Sequence, residues 1–151
     1  MRARLALLLF VFCFSVHADT QTTVGNWTAN LLTTVLSARY DDTPSSIEEL
    51  RKNFLPQAWV PMIQFLRDKR VQINEQKLIL HPTAINSPHV EESQLCGISP
   101  CWQIAQTYDV PELSLRLAFL LQVIPGQVAK NPHNEFVVQS MSLIINPMPP
   151  Q

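Results

Sequence analysis

The chain has 151 residues, of which 46% are hydrophobic and 15% are charged, and its formal net charge is −1. This length suits one domain that can bury a sizeable core. The sequence has no basic stripe and no block of like charges, which excludes nucleic-acid binding through phosphate contacts.

The N-terminus has the layout of a secretory signal peptide. Arg2 and Arg4 form a positive region, residues 5–16 form an apolar run, and Ala18 is a small residue that ends the Val-His-Ala segment. This pattern predicts cleavage between Ala18 and Asp19 and export to an oxidising compartment. The apolar run is shorter than the about 20 residues that a transmembrane helix requires, and an uncleaved membrane anchor is the alternative.

Cleavage at this site divides the chain into three parts. The signal peptide is residues 1–18, a single domain follows at residues 19–146, and residues 147–151 form a tail that we expect to be disordered. The domain and tail together carry nine basic residues against twelve acidic ones. The exported chain is therefore slightly acidic.

The first half of the domain is predicted to be helical. Residues 24–38 carry apolar side chains at intervals of three and four, which indicates an amphipathic helix. A capping box that starts at Ser45 predicts a second helix. A third helix begins near Pro56 or Pro61 and ends in the charged run at residues 67–70, where cations suit the negative end of the helix dipole.

The second half has an apolar period of two, which predicts strands. The strongest alternation spans residues 113–123, a strand that starts at Trp102 precedes it, and residues 136–145 form the last strand. Residues 77–85 predict a weaker strand that Pro82 restricts to an edge or a bulge. Helices followed by antiparallel strands predict an α+β fold, with the helices packed on one face of a curved four-stranded sheet.

Two cysteines remain after cleavage, Cys96 and Cys101. In an oxidising compartment such a pair closes into a disulfide. Zinc would require further ligands that the sequence does not place nearby, and a redox pair would have the tighter C-x-x-C spacing. Gly97 and Pro100 between them favour a turn. We interpret the pair as a structural disulfide.

No catalytic, cofactor-binding or metal-binding residue is predicted. The residues that could carry chemistry are Tyr40, Asp41, Asp42, His81, His89, Tyr108 and His133. The aspartates precede a proline in a turn, and the histidines lie in proline-rich loops, so we interpret them as surface residues rather than general bases or ligands. The sequence also has no nucleophile motif and no glycine-rich phosphate loop. An enzyme is therefore not expected.

The last predicted strand is apolar on both faces. Val137, Met141, Leu143 and Ile145 alternate along one face, and apolar residues also occupy the other face. Either other elements bury both faces, or one face meets a partner. These four residues form the candidate protein interface.

An alternative function is that of a hydrophobic-ligand carrier. One face of the long predicted strand carries Leu113, Leu115, Leu117, Phe119 and Leu121. This stripe would either line a pocket on the concave side of the sheet or form packed core.

Three short segments resemble the periplasmic domain of the DotI/IcmL family, which has the conjugation protein TraM as a relative. The segments are Ala-Arg-Tyr, Phe-Leu-Pro-Gln-Ala-Trp and Cys-Trp-Gln-Ile. The positions in them that match the family's motifs are Tyr40, Phe54, Pro56, Trp59 and Trp102. The likeness spans about residues 24–146. Ala58 stands where the family usually has glycine, and Pro61 and the cysteine pair also depart from the family's pattern.

The resemblance implies a nuclear-transport-factor-like cone, in which helices cup a curved antiparallel sheet. It also implies a non-enzymatic periplasmic component or accessory of a type IVB secretion or conjugation system. Such a protein acts through contacts with subunits of the complex, with self-association as an option, and needs no cofactor. Family members keep an uncleaved anchor, so a cleaved relative would reach the inner membrane only through partners. Ketosteroid isomerases share this type of fold, which leaves an enzyme as a third alternative.

Overall fold

The structure, a computed structural model, describes the backbone of residues 2–150 and the side chains of residues 19–150. The predicted signal peptide at residues 1–18 lies outside the range with described side chains, and its cleavage after Ala18 stays a prediction. Within the described residues, no helix combines the length and the apolar character that crossing a membrane requires.

Three helices precede five strands in chain order. They are α1 (Arg2–Leu36), α2 (Pro44–Arg51), α3 (Pro56–Glu75), β1 (Thr83–Ala84), β2 (His89–Glu92), β3 (Trp102–Val110), β4 (Leu115–Pro125) and β5 (Phe136–Pro147), with a 3-10 turn at Pro111–Leu113 between β3 and β4. The α+β prediction is confirmed.

Helix α2 has a different cap from the predicted one. The Thr43 hydroxyl accepts a hydrogen bond from the Ser46 N–H at 3.3 Å, and Pro44 occupies the first helical position. Proline is favoured there because its missing N–H would have no partner in the first turn. The capping box predicted at Ser45 is therefore wrong.

Helix α3 begins at Pro56, includes Pro61 and continues to Glu75. The prediction that it ends at residues 67–70 is wrong. Ile73 is 1% exposed and lies eleven positions after the fully buried Met62, which is close to three helical turns. The charged run therefore interrupts the apolar face for about one turn without ending the helix.

The sheet is antiparallel, with the order β1-β3-β4-β5, and β2 also pairs with β3. Strand β1 pairs with Tyr108 and Asp109 at one end of β3, whereas β2 pairs with residues 102–105 at the other end. The two short strands share one edge of β3, and the sequence prediction of four strands missed β2. Within residues 77–85, only β1 is a strand.

One face of the sheet packs against the helices and forms the core. Helix α1 contacts β2 and β3, and α3 contacts β5. Gly25 permits the approach of α1 to β2, because a Cβ at this position would lie 3.0 Å from Val90 Cγ2. The sheet residues with the least exposure in this core are Ile104, Tyr108, Val110, Leu117, Leu121, Val123 and Val138.

Candidate interaction surface and helix groove

A bulge divides β5 into two halves. Val138 pairs with Val123 of β4, and Ser140 pairs with Gln122, so Gln139 is an extra residue between two paired positions. An extra residue of this kind reverses the side-chain alternation beyond it. We call residues 136–138 the first half of β5 and residues 140–147 its second half.

The first half is buried among aromatic rings. The Phe136 ring lies 5.6 Å from the Trp27 ring of α1 and 5.7 Å from the Trp102 ring of β3, measured between centroids. Only 6% of Phe136 is exposed. This contact joins the first helix, the central strand and the last strand.

The backbone edge of the first half is also occupied. The Val138 N–H donates to the Asn53 carbonyl at 2.9 Å, and the Val138 carbonyl accepts from the Leu55 N–H at 2.9 Å. The segment between α2 and α3 therefore extends the sheet by a short parallel bridge and covers this part of the edge.

The second half is exposed on both faces. Met141 and Leu143 are half-buried against the core, whereas Ile144 is 59% exposed and Ile145 is 46% exposed. Among the described residues, β4 is the one strand that pairs with this half, and the opposite edge has no strand partner. We call Met141, Leu143, Ile144 and Ile145 the β5 surface.

The structure separates Val137 from the other predicted interface residues. Val137 pairs with Ile124 and has no exposed surface, whereas Met141 pairs with Leu121 of the core face. The bulge causes this separation because it reverses the alternation between the two positions. The prediction that Val137 shares a face with Met141 is wrong, and Val137 is too buried to meet a partner.

The predicted disulfide between Cys96 and Cys101 is present, with a Cα–Cα distance of 6.2 Å. Both cysteines pack with Ile124 in a small cluster on the sheet face away from the helices. The Gln139 side-chain amide donates to the Cys96 carbonyl at 3.1 Å. The disulfide loop is therefore attached to the bulge.

The five residues that carry the family resemblance support the fold and do not form one site. Phe54 and Trp59 are buried and their ring centroids lie 5.1 Å apart. Pro56 is the first residue of α3, and Trp102 belongs to the core. Tyr40 lies in the turn after α1 and is 40% exposed.

The two aspartates considered for catalysis organise the turn between α1 and α2. Asp41 accepts from the Arg39 side-chain Nε at 2.8 Å, and this hydrogen bond lowers the pKa of the Asp41 carboxyl. Asp42 accepts from the Arg39 backbone N–H at 2.7 Å. Both carboxylates are thus engaged in local contacts.

The histidines and Tyr108 also lie in separate local environments. His81 contacts Glu112 at 2.7 Å and His89 contacts Glu91 at 2.9 Å, while His133 is exposed in the loop before β5. The Tyr108 hydroxyl donates to the Ala29 carbonyl at 3.1 Å. Burial raises the pKa of Tyr108.

Among the described residues, no three histidine, cysteine, aspartate or glutamate side chains lie close enough together to hold a metal ion.

The residues predicted to line a ligand pocket on the sheet are packed core. Leu117 and Leu121 have no exposed surface, Phe119 is 3% exposed, and Leu113 is 8% exposed. Leu115 is half-buried against the same cluster. This face of β4 therefore offers no room for a ligand, and the location predicted for a carrier site is wrong.

A cavity of about 690 Å³ lies instead among the three helices. We call it the helix groove. Its lining residues are Thr34, Val35, Ser37, Ala38, Asp42, Pro44, Ser46, Ile47, Leu50, Ile63, Leu66, Arg67, Arg70 and Ile73. Sequence reasoning missed this groove, although the spacing of Ile63, Leu66, Arg67, Arg70 and Ile73 by three and four places these side chains along one side of α3.

The fold is similar to that of three solved structures. An IcmL-like type IV secretion system protein from Legionella pneumophila aligns with 87% of this chain and 96% of its own, with a TM-score of 0.63 and 16% identity. The periplasmic domain of DotI aligns with 83% of this chain and 94% of its own, with a TM-score of 0.61 and 10% identity. This chain has the fold of the DotI/IcmL periplasmic domain.

A periplasmic fragment of TraM aligns with 83% of this chain and 96% of its own, with a TM-score of 0.56 and 12% identity. No protein-family model matches the sequence, and no curated protein matches it either. The short motifs indicate a resemblance to the DotI/IcmL family, and these three structures confirm that resemblance at the level of the fold.

Proposed function

We propose that this protein is a non-enzymatic periplasmic component or accessory of a type IVB secretion or conjugation system. Two observations support the proposal. The likeness to the DotI and TraM periplasmic structures covers 83% of this chain in each case. The pair of Cys96 and Cys101 forms a disulfide, which suits an oxidising compartment such as the periplasm.

The observation that carries the proposed mode of action is the β5 surface. An edge strand with free backbone groups is a template for pairing with another chain. Here Ile144 and Ile145 add exposed apolar side chains on opposite faces of that edge. An extended apolar segment of a partner subunit could therefore add as a further strand, with backbone hydrogen bonds for affinity and side-chain contacts for specificity.

The partner is a protein subunit of the same complex, and a second copy of this chain is the alternative occupant of the surface. The protein carries no cofactor in this proposal. If the N-terminus is cleaved after Ala18, such subunits provide the link to the inner membrane. If it is retained, the N-terminus supplies an anchor of its own.

The test is affinity purification of a C-terminally tagged copy from its native host. The wild-type protein should recover inner-membrane secretion subunits. Its own intact mass should lack residues 1–18 and the two hydrogens that the disulfide removes. The double variant Ile144→Glu/Ile145→Glu should lose about tenfold or more of the recovered subunits, since each buried aliphatic side chain contributes about 1.5–3 kcal/mol.

Leu95→Glu is the matched control, because Leu95 is 77% exposed and lies outside the β5 surface. It should leave the recovery unchanged, and thermal unfolding should be the same for all three proteins. Equal recovery with the double variant would exclude the β5 surface as the interface. A wild-type protein that recovers no secretion subunit would overturn the proposed function itself.

A further inference from the structure

The helix groove has the size and the lining of a small-ligand site. Its volume of about 690 Å³ falls within the range of roughly 300–1,000 Å³ that is common for such sites. Most of its lining is aliphatic, with Ile47 and Leu50 from α2 and Ile63, Leu66 and Ile73 from α3. A lining of this kind favours a hydrocarbon chain.

Two cations lie at the groove. Arg67 is exposed and makes no hydrogen bond or ion pair with any described residue. Arg70 is held in position, because its guanidinium donates to the Arg39 carbonyl at 3.0 Å and to the Asp42 carbonyl at 3.2 Å. An unpaired guanidinium beside an apolar cavity favours a carboxylate or another anion.

One acidic residue, Asp42, also lines the groove. One oxygen of its carboxylate accepts from the Arg39 backbone N–H at 2.7 Å, so it is already engaged in the turn before α2. The lining therefore combines two cations with one carboxylate, and the net positive charge complements an anionic head group.

Helix α2 forms one wall of the helix groove. None of its residues is buried. Ile47 and Leu50 are half-buried and face the groove. A ligand between α2 and α3 would cover these two side chains, and their burial would add to its affinity.

We propose that the helix groove binds a long-chain fatty acid, with the acyl chain between α2 and α3 and the carboxylate at Arg67 and Arg70. This site is separate from the β5 surface, and the inference does not depend on the proposed role in secretion.

The test is a fluorescence titration of the delipidated full-length protein with cis-parinaric acid. Binding should be saturable with one site per chain. Ile63→Trp fills the groove and should weaken binding about tenfold or more, because the acyl chain loses buried contacts. Val60→Trp is the matched control on the same helix, because Val60 is 56% exposed and does not line the groove.

A second pair of measurements tests the head group without altering the apolar lining. Arg67→Glu should weaken binding of the acid about tenfold, the expected effect of losing a charge-assisted hydrogen bond. The methyl ester of the same acid should bind more weakly to the wild-type protein, and its affinity should not respond to Arg67→Glu. Thermal unfolding of each variant shows whether it is folded.

The inference is overturned if the wild-type protein shows no saturable binding, or if Ile63→Trp and Arg67→Glu bind as well as Val60→Trp. Equal affinity for the acid and its methyl ester would also overturn it, since the arginines would then have no role. None of these results depends on a secretion complex, so they separate this inference from the proposed function.

Discussion

The two halves of β5 are both apolar in sequence, but they differ in what surrounds them. In the first half, the Phe136 ring meets Trp27 and Trp102, and the Val138 backbone bonds to the segment before α3. In the second half, Ile144 and Ile145 are exposed beside an edge with which no other described strand pairs. Apolar composition alone therefore does not separate core from interface. The bulge and the coverage of the edge make the difference.

The largest expected effect comes from removing the bulge. Deletion of Gln139 shifts one half of β5 by one residue relative to β4. The buried and exposed side chains of that half then exchange faces, because a one-residue slip reverses the alternation of a strand. We expect a loss of more than about 4 kcal/mol in the free energy of unfolding, measured by urea denaturation.

Gln139→Ala is the control for this deletion, because it keeps the bulge and loses the hydrogen bond to the Cys96 carbonyl. It should cost about 1 kcal/mol. A deletion variant as stable as Gln139→Ala would show that the bulge does not separate the two halves.

A direct comparison of the halves uses the same change to alanine. Phe136→Ala should lower the free energy of unfolding by about 3–5 kcal/mol, because it leaves a cavity between Trp27 and Trp102. Ile144→Ala should stay within about 0.5 kcal/mol, since the side chain is already exposed in the free protein. Both values come from urea denaturation, and similar losses at the two positions would contradict the comparison.

The disulfide supports the first half from the outer face of the sheet. Replacing Cys96 and Cys101 together by alanine should lower the free energy of unfolding by about 2 kcal/mol in the chain-entropy model for a short loop. A reducing agent should shift thermal unfolding of the wild-type protein and leave the double variant unchanged. Equal sensitivity of the two proteins to reductant would argue against a stabilising disulfide.

The smallest expected effect on stability comes from an ion pair between β3 and β4, beside the second half of β5. Arg116 pairs with Asn146 of β5 and donates to Asp109 at 2.7 and 2.9 Å. The hydrogen bond from Arg116 lowers the pKa of the Asp109 carboxyl in the folded protein.

A carboxyl whose pKa is lower in the folded protein stabilises the fold fully at a pH above its pKa in the unfolded chain, about 3.9. This stabilisation is lost as the pH falls through the pKa of the folded protein. Thermal unfolding between pH 5 and pH 2, as an approximate window around these values, should therefore depend less on pH in Asp109→Asn than in the wild-type protein. Identical pH profiles would show that the ion pair does not stabilise the fold.

The sequence predicts the central strands well because each has one buried face. Trp102, Ile104, Leu117 and Leu121 alternate with more exposed residues, and the structure buries them as the pattern indicates. The disulfide is also predictable from the sequence, since the predicted cleavage after Ala18 would leave Cys96 and Cys101 as the one possible pair. The fold class followed from the change of period between the two halves of the chain.

Other features depend on tertiary contacts that a local pattern does not contain. The bulge at Gln139 has no turn residue that marks it in the sequence, and so the local pattern predicts one face from Val137 to Ile145. Strand β2 is short and half acidic, and its pairing with β3 stabilises it. The helix groove arises from the spacing between helices, and a periodic pattern on α3 does not reveal that spacing.

The attachment of α2 has a consequence for its dynamics. Arg70 holds the carbonyl of Asp42 before the helix, and the side-chain amides of Asn131 and Asn134 donate to the Lys52 carbonyl after it. The helix is thus fixed at both ends while none of its own residues is buried. Backbone amides of α2 should exchange their hydrogens with solvent through local opening, whereas those of the Phe136 region should exchange through global unfolding.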